Sequence, residues 1–213
     1  MILGDSSTTK DKWPEVLISA YLPKSATVIN TAQGGAIWGK KSKILSVVEQ
    51  WNKAKDLLKG SKPDILIITV GGNSFPDPKI SYDDVLALCE QENTEKMAPD
   101  QMKEAILALR TIIADYPDLD IYLVANFYAG SNPKKDGIRR HYRTQLAALC
   151  DFYSCNLVDL TRNSNIRGRL EKDPKNRIFI NDSVHITTEA GKARIARLIF
   201  AALKANYPDP ETD

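Results

Sequence analysis

Short apolar runs alternate along the chain with longer stretches of helical periodicity. "ATVIN" (26–30), "DILIITV" (64–70), "DIYLVA" (120–125) and "NLVDL" (156–160) are short and rich in β-branched residues, so they predict buried strands. The opening MIL predicts a first strand, shorter than the usual five or so residues. Its brevity creates an expectation that sequence is missing upstream, as in a module excised from a longer, extracellular protein. Between the runs, Ile44, Val47, Val48, Trp51 and Leu58 fall on one helical stripe, with Gly60 as a stop signal. Further helices are predicted over about 100–115, 138–152 and 188–206, the last facing inward through Ile195, Leu198, Ile199, Ala202 and Leu203. Strands alternating with helices call for a parallel sheet covered on both faces. The expected fold is therefore α/β, a three-layer α/β/α sandwich with about five strands, forming one domain over 1–207 and a frayed tail at 208–213. Two segments, 73–100 and 161–177, read as excursions beyond strand ends.

Composition narrows the function classes. The chain has 213 residues, 43% hydrophobic and 26% charged, enough for a sizeable core without a disulfide or metal staple. A net charge of +2 argues against a dedicated nucleic-acid binder, and the basic "KKDGIRRHYR" reads as a solvated helix face carrying an exposed His141. No stretch approaches the ~20 apolar residues of a membrane span, and the N-terminus lacks the pattern of a signal peptide. Cys89, Cys150 and Cys155 form neither an even framework nor a metal-ligand spacing, which makes them buried or idle thiols.

In open parallel sheets, ligands bind beyond the carboxyl ends of the strands, so the chemistry should lie in the loop after each strand. Those loops begin with "GDSST", "TAQGGAIWG", "GGNSFPD" and "NFYAG", with "FINDSVHITTEAG" ahead of the last helix. The serines of "GDSST" suit either a nucleophile at the sheet's mouth or ordinary capping of a strand-to-helix turn. His185 is one of only two histidines, and Asp182 stands three positions before it. An aspartate there can fix the imidazole's tautomer and stabilise the imidazolium, though a turn with a satisfied histidine fits equally well. Gly34 and Gly35 offer unobstructed backbone N–H groups, and Asn73 offers a side-chain amide; such donors hold an oxyanion, and such residues also build plain turns.

The four blocks GDS, N-x-x-x-x-G, GxN and DxxH occur in order, and together they resemble the SGNH (GDSL-type) hydrolase family from residue 4 to about 191. The resemblance implies a flavodoxin-like sandwich, with Ser6 as nucleophile and Asp182 and His185 as the other triad members. It also implies an oxyanion hole from Ser6, Gly35 and Asn73, and no metal or cofactor. Where the family carries Asp after the block asparagine, this chain has Ser74. The G-x-S-x-G elbow of the α/β-hydrolases is absent. Trp38, Ser74, Phe75, Asn126, Phe127 and Tyr128 are the expected substrate contacts. Aromatic faces beside polar groups suit a glycan, which points to a serine esterase removing small acyl groups, acetyl above all, from carbohydrate. Two readings stay open beside it: a lipase- or thioesterase-type hydrolase, and a non-catalytic glycan-binding module of a larger surface or tail protein. The second has no need of Ser6, Asp182 and His185 together.

Overall fold

The computed structural model describes residues 1–71, 73, 75–97, 100–126, 133–168, 170–180 and 185–207; at 96, 133–136 and 172 it describes the backbone alone. Four strands form one parallel sheet among these residues: β1 (Ile2–Gly4), β2 (Ile65–Thr69), β3 (Asp120–Ala125) and β4 (Asn156–Asp159), neighbours in that order. Leu3 pairs with Ile68, Ile67 with Tyr122, and Leu123 with Leu157. Among the described residues seven α-helices accompany them: α1 (Trp13–Ala20), α2 (Val47–Leu58), α3 (Tyr82–Glu90), α4 (Gln101–Asp115), α5 (Pro133–Tyr153), α6 (Leu160–Asn163) and α7 (Glu189–Asn206).

Successive strand side chains point to opposite faces, and both faces here are apolar. Leu3, Leu66, Ile68, Ile121 and Leu123 pack with α2, α4 and α5 on one side. Ile2, Ile67, Tyr122, Val124 and Val158 pack with α1 and α7 on the other. The result is the expected three-layer α/β/α sandwich. Burial pushes the Cys89 thiol up to about 11 and that of Cys155 to about 12, and all three cysteines are free.

The expected strand over 26–30 is reduced to a single bridge, Asn30 to Ile2. The chain nevertheless runs along the outer edge of β1: Ile2 N–H donates to Ile29 C=O at 2.8 Å, Thr31 to Ile2 at 3.1 Å, and Gln33 to Gly4 at 3.0 Å. Of residues 26–28, Ala26 turns back locally, its N–H donating to Pro23 C=O at 2.9 Å. Helix α2 begins at Val47, where Ser46 and Glu49 close a capping box, so Ile44 belongs to the preceding loop and not to the helical stripe. Inside the excursion 73–100, a second box from Ser81 and Asp84 starts α3.

Leu66 is fully buried in β2, with strands on both sides. Leu66→Ala should lower unfolding stability by about 2–5 kcal/mol in a urea titration; a cost under about 1 kcal/mol would contradict this account of the core.

Candidate active site

The turn after β1 is built by polar contacts that fix its two serines differently. Asp5 is buried; its N–H donates to Thr69 C=O at 3.0 Å. Its carboxylate accepts the Ser7 N–H at 2.9 Å and the Ser7 hydroxyl at 2.7 Å. Ser7 is therefore turned inward onto Asp5. The Ser6 hydroxyl instead faces His185, with Oγ and Nε2 3.1 Å apart. The two adjacent serines therefore have different partners, Asp5 for Ser7 and His185 for Ser6.

Gly4, two residues before Ser6, is held on both backbone groups by one side chain. Its N–H donates to Gln50 Oε1 at 2.8 Å, and Gln50 Nε2 donates back to its C=O at 3.1 Å. A Cβ at Gly4 would lie 2.6 Å from Thr69 C=O, so only glycine lets β1 end this close to β2. Gln50 was missed as a functional residue. The available signal was a polar residue on the buried face of α2, beside Val47, Trp51 and Ala54.

The loops after the neighbouring strand segments close around this turn. A Cβ on Gly34 would sit 3.9 Å from Ser6 Cβ, which places that glycine against the serine. Gly35 takes φ +85°, a left-handed conformation, with its face toward Ile44. The side chain of Asn73 is exposed and donates to Ala36 C=O at 3.3 Å, so Asn73 and the glycine pair border one another. Asn126, at the end of β3, donates to Ser7 Oγ at 3.4 Å.

One expected substrate contact, Trp38, belongs to the packing instead. Trp38 is 1% exposed, and its indole N–H donates to the Tyr142 hydroxyl at 2.6 Å. That hydroxyl in turn donates to Val70 C=O at 3.1 Å. Phe75 is half-buried and meets the Tyr142 ring edge-on at 5.4 Å. Gly71, at φ +124°, lets the Tyr142 ring approach, since a Cβ there would lie 2.3 Å from Cε1. Burial pushes the Tyr142 phenol above its ordinary range, partly offset by the Trp38 hydrogen bond. This residue props the loop that carries Asn73 from behind, and α5 supplies it from far along the chain. Asp182, Ser74, Phe127 and Tyr128 lie outside the described residues. His141 is exposed on α5, as expected.

A cavity of about 890 Å³ opens at the opposite rim of the sheet, between Ile29, Leu58, Ile65 and Tyr207. The hydrogen-bonded serine–imidazole pair lies at the other ends of the strands, and the chemistry of that pair outweighs cavity size in locating the site. An imidazole against a hydroxyl, with backbone and amide donors nearby, is equipped for nucleophilic acyl transfer.

A sequence model described as the GDSL-like lipase/acylhydrolase family matches residues 2–193. No curated protein sequence matches the chain. Among solved structures, a protein from Lactobacillus plantarum is 15% identical with a TM-score of 0.66, covering 96% of this chain and 95% of its own. The acetyl xylan esterase AlAXEase is 16% identical with a TM-score of 0.54, at 95% and 98% coverage. TesA is 16% identical with a TM-score of 0.58, at 96% and 97% coverage. At these identities the structural likenesses show a shared fold.

Tyr142→Phe removes the hydroxyl that joins Trp38 to Val70 and leaves two buried polar groups unpaired. It should cost about 1–3 kcal/mol of unfolding free energy, read from the urea midpoint; wild-type stability would show that this bridge does not hold the loop.

Proposed function

The chain belongs to the GDSL-like lipase/acylhydrolase family, and on that premise we propose that it is a serine esterase acting on small acyl esters, acetyl esters of carbohydrate above all. The observation that carries the reading is the 3.1 Å contact between Ser6 Oγ and His185 Nε2. It also favours catalysis over a binding-only module, because binding alone has no use for an imidazole aimed at a hydroxyl.

With the ring proton on Nδ1, the Ser6 hydroxyl donates to Nε2, and His185 takes that proton as Oγ attacks the ester carbonyl. Asp182 is assigned to the Nδ1 side, where a carboxylate holds the tautomer and stabilises the imidazolium. The backbone N–H groups of Ser6 and Gly35 and the Asn73 amide receive the tetrahedral oxyanion. Asn73, exposed at the rim, exchanges its bond to Ala36 C=O for the oxyanion. His185 then protonates the leaving alcohol. Water, activated by the same imidazole, releases the acyl group and restores Ser6.

The substrate assignment draws on different support. Trp38 packs inside and supplies no glycan platform, while Phe75 stays partly exposed. There is also Asn126 beside the nucleophile turn, together with the fold shared with an acetyl xylan esterase. TesA shares the fold as well, so acyl-chain length is the discriminating variable.

Ser6→Ala should abolish hydrolysis of acetyl aryl esters and acetylated sugars while the fold persists; substantial retained turnover would assign the nucleophile elsewhere. Asn73→Ala should lower kcat about a hundredfold, equivalent to ~3 kcal/mol of lost oxyanion stabilisation. In an acyl-length series the acetyl and butyryl esters should be preferred, and a preference for long chains would overturn the substrate assignment.

A further inference from the structure

The excursion 161–177 contains a buried acid that the proposed chemistry does not use. Glu171, 5% exposed, sits in a short 3-10 turn (Leu170–Lys172). One of its carboxylate oxygens, Oε2, accepts three consecutive backbone N–H groups: Ile178 at 3.1 Å, Phe179 at 2.7 Å and Ile180 at 2.7 Å. Successive N–H groups converging on one point form a concavity for an anion. Here the anion is the chain's own carboxylate, and the charge-assisted bonds offset its removal from water.

The carbonyl side of the same segment is held independently. Thr188 caps α7, accepting the Gly191 N–H at 3.0 Å, and its hydroxyl is shared between Ile178 C=O at 2.9 Å and Phe179 C=O at 3.0 Å. A Cβ on Gly191 would lie 2.4 Å from both Phe179 C=O and Ile186 Cγ2. The backbone gripped by Glu171 and the residue next to His185 therefore rest on the same glycine at the start of α7.

We propose that Glu171 is a positioning residue for the reaction: it anchors residues 178–180 against α7 and thereby keeps the His185 imidazole within hydrogen-bond reach of Ser6. The inference rests on the serine esterase reading given above. Glu171 touches neither reacting atom. Its effect is geometric, and displacement of a base by about 1 Å costs up to about a hundredfold in rate.

The test compares Glu171→Gln and Glu171→Ala with the intact chain on an acetyl aryl ester, measuring kcat and KM separately, with Leu66→Ala as a destabilised control. The expected result is a fall in kcat of about 10- to 100-fold for Glu171→Ala at unchanged KM, with partial rescue in Glu171→Gln, which keeps one acceptor oxygen. Leu66→Ala should be less stable at wild-type kcat. Wild-type kcat in a folded Glu171 variant, or a loss matched by Leu66→Ala, overturns the inference. If Glu171→Ala does not fold, Glu171→Gln decides alone. His185→Ala in the same assay separates the two levels: it is inactive if only the role of Glu171 fails, and active if the esterase reading itself fails and takes this inference with it.

Discussion

A hydroxyl and an imidazole 179 positions apart share a hydrogen bond only if the first strand and the approach to the last helix end at the same rim of one sheet. A parallel sheet meets that condition, because every strand delivers its carboxyl end to the same side. β1 is then decisive, since Ser6 stands two residues beyond its last position. That strand is three residues long and would be a weak platform by itself. It is fixed by β2 on one edge and by Ile29–Gln33 on the other. Gln50 holds both backbone groups of Gly4 from the helical layer.

The same economy recurs around the site. Three of the loops that carry proposed catalytic groups are braced by a buried polar side chain, two of them from a distant part of the chain. Gln50 in α2 braces the Ser6 turn, Tyr142 in α5 braces the Asn73 loop, and Glu171 braces the approach to His185. Each brace satisfies backbone groups that the loops cannot pair among themselves, which is the requirement buried polar groups impose. Loops held in this way arrive organised, and preorganised donors are what stabilise charge during acyl transfer.

Much of this was legible in the sequence. β2, β3 and β4 stand within a residue of the apolar runs that predict them, because a strand buried on both faces leaves a continuous β-branched signature. The contact between Ser6 and His185 was foreshadowed because residue types able to serve as nucleophile and base follow strand ends in a fixed order. The misreadings have physical causes. "ATVIN" is β-branched enough for a strand, but a strand also needs a partner, and the run meets β1 only through Ile29 and Asn30. Trp38 comes after a Gly-Gly turn and looks exposed, yet its hydrogen-bond partner lies 104 positions away, and no local pattern announces it. Gln50 and Glu171 were opaque for a similar reason: a buried polar residue reads as surface until the backbone groups it serves are known.

The central claim is that Ser6, activated by His185, is the group that attacks the ester. The most direct measurement is labelling with a serine-reactive fluorophosphonate, with the modified peptide then mapped by mass. This account predicts a single adduct on Ser6, none on Ser7, and loss of labelling in folded His185→Ala. An adduct on another serine, or undiminished labelling of Ser6 without the imidazole, would contradict it.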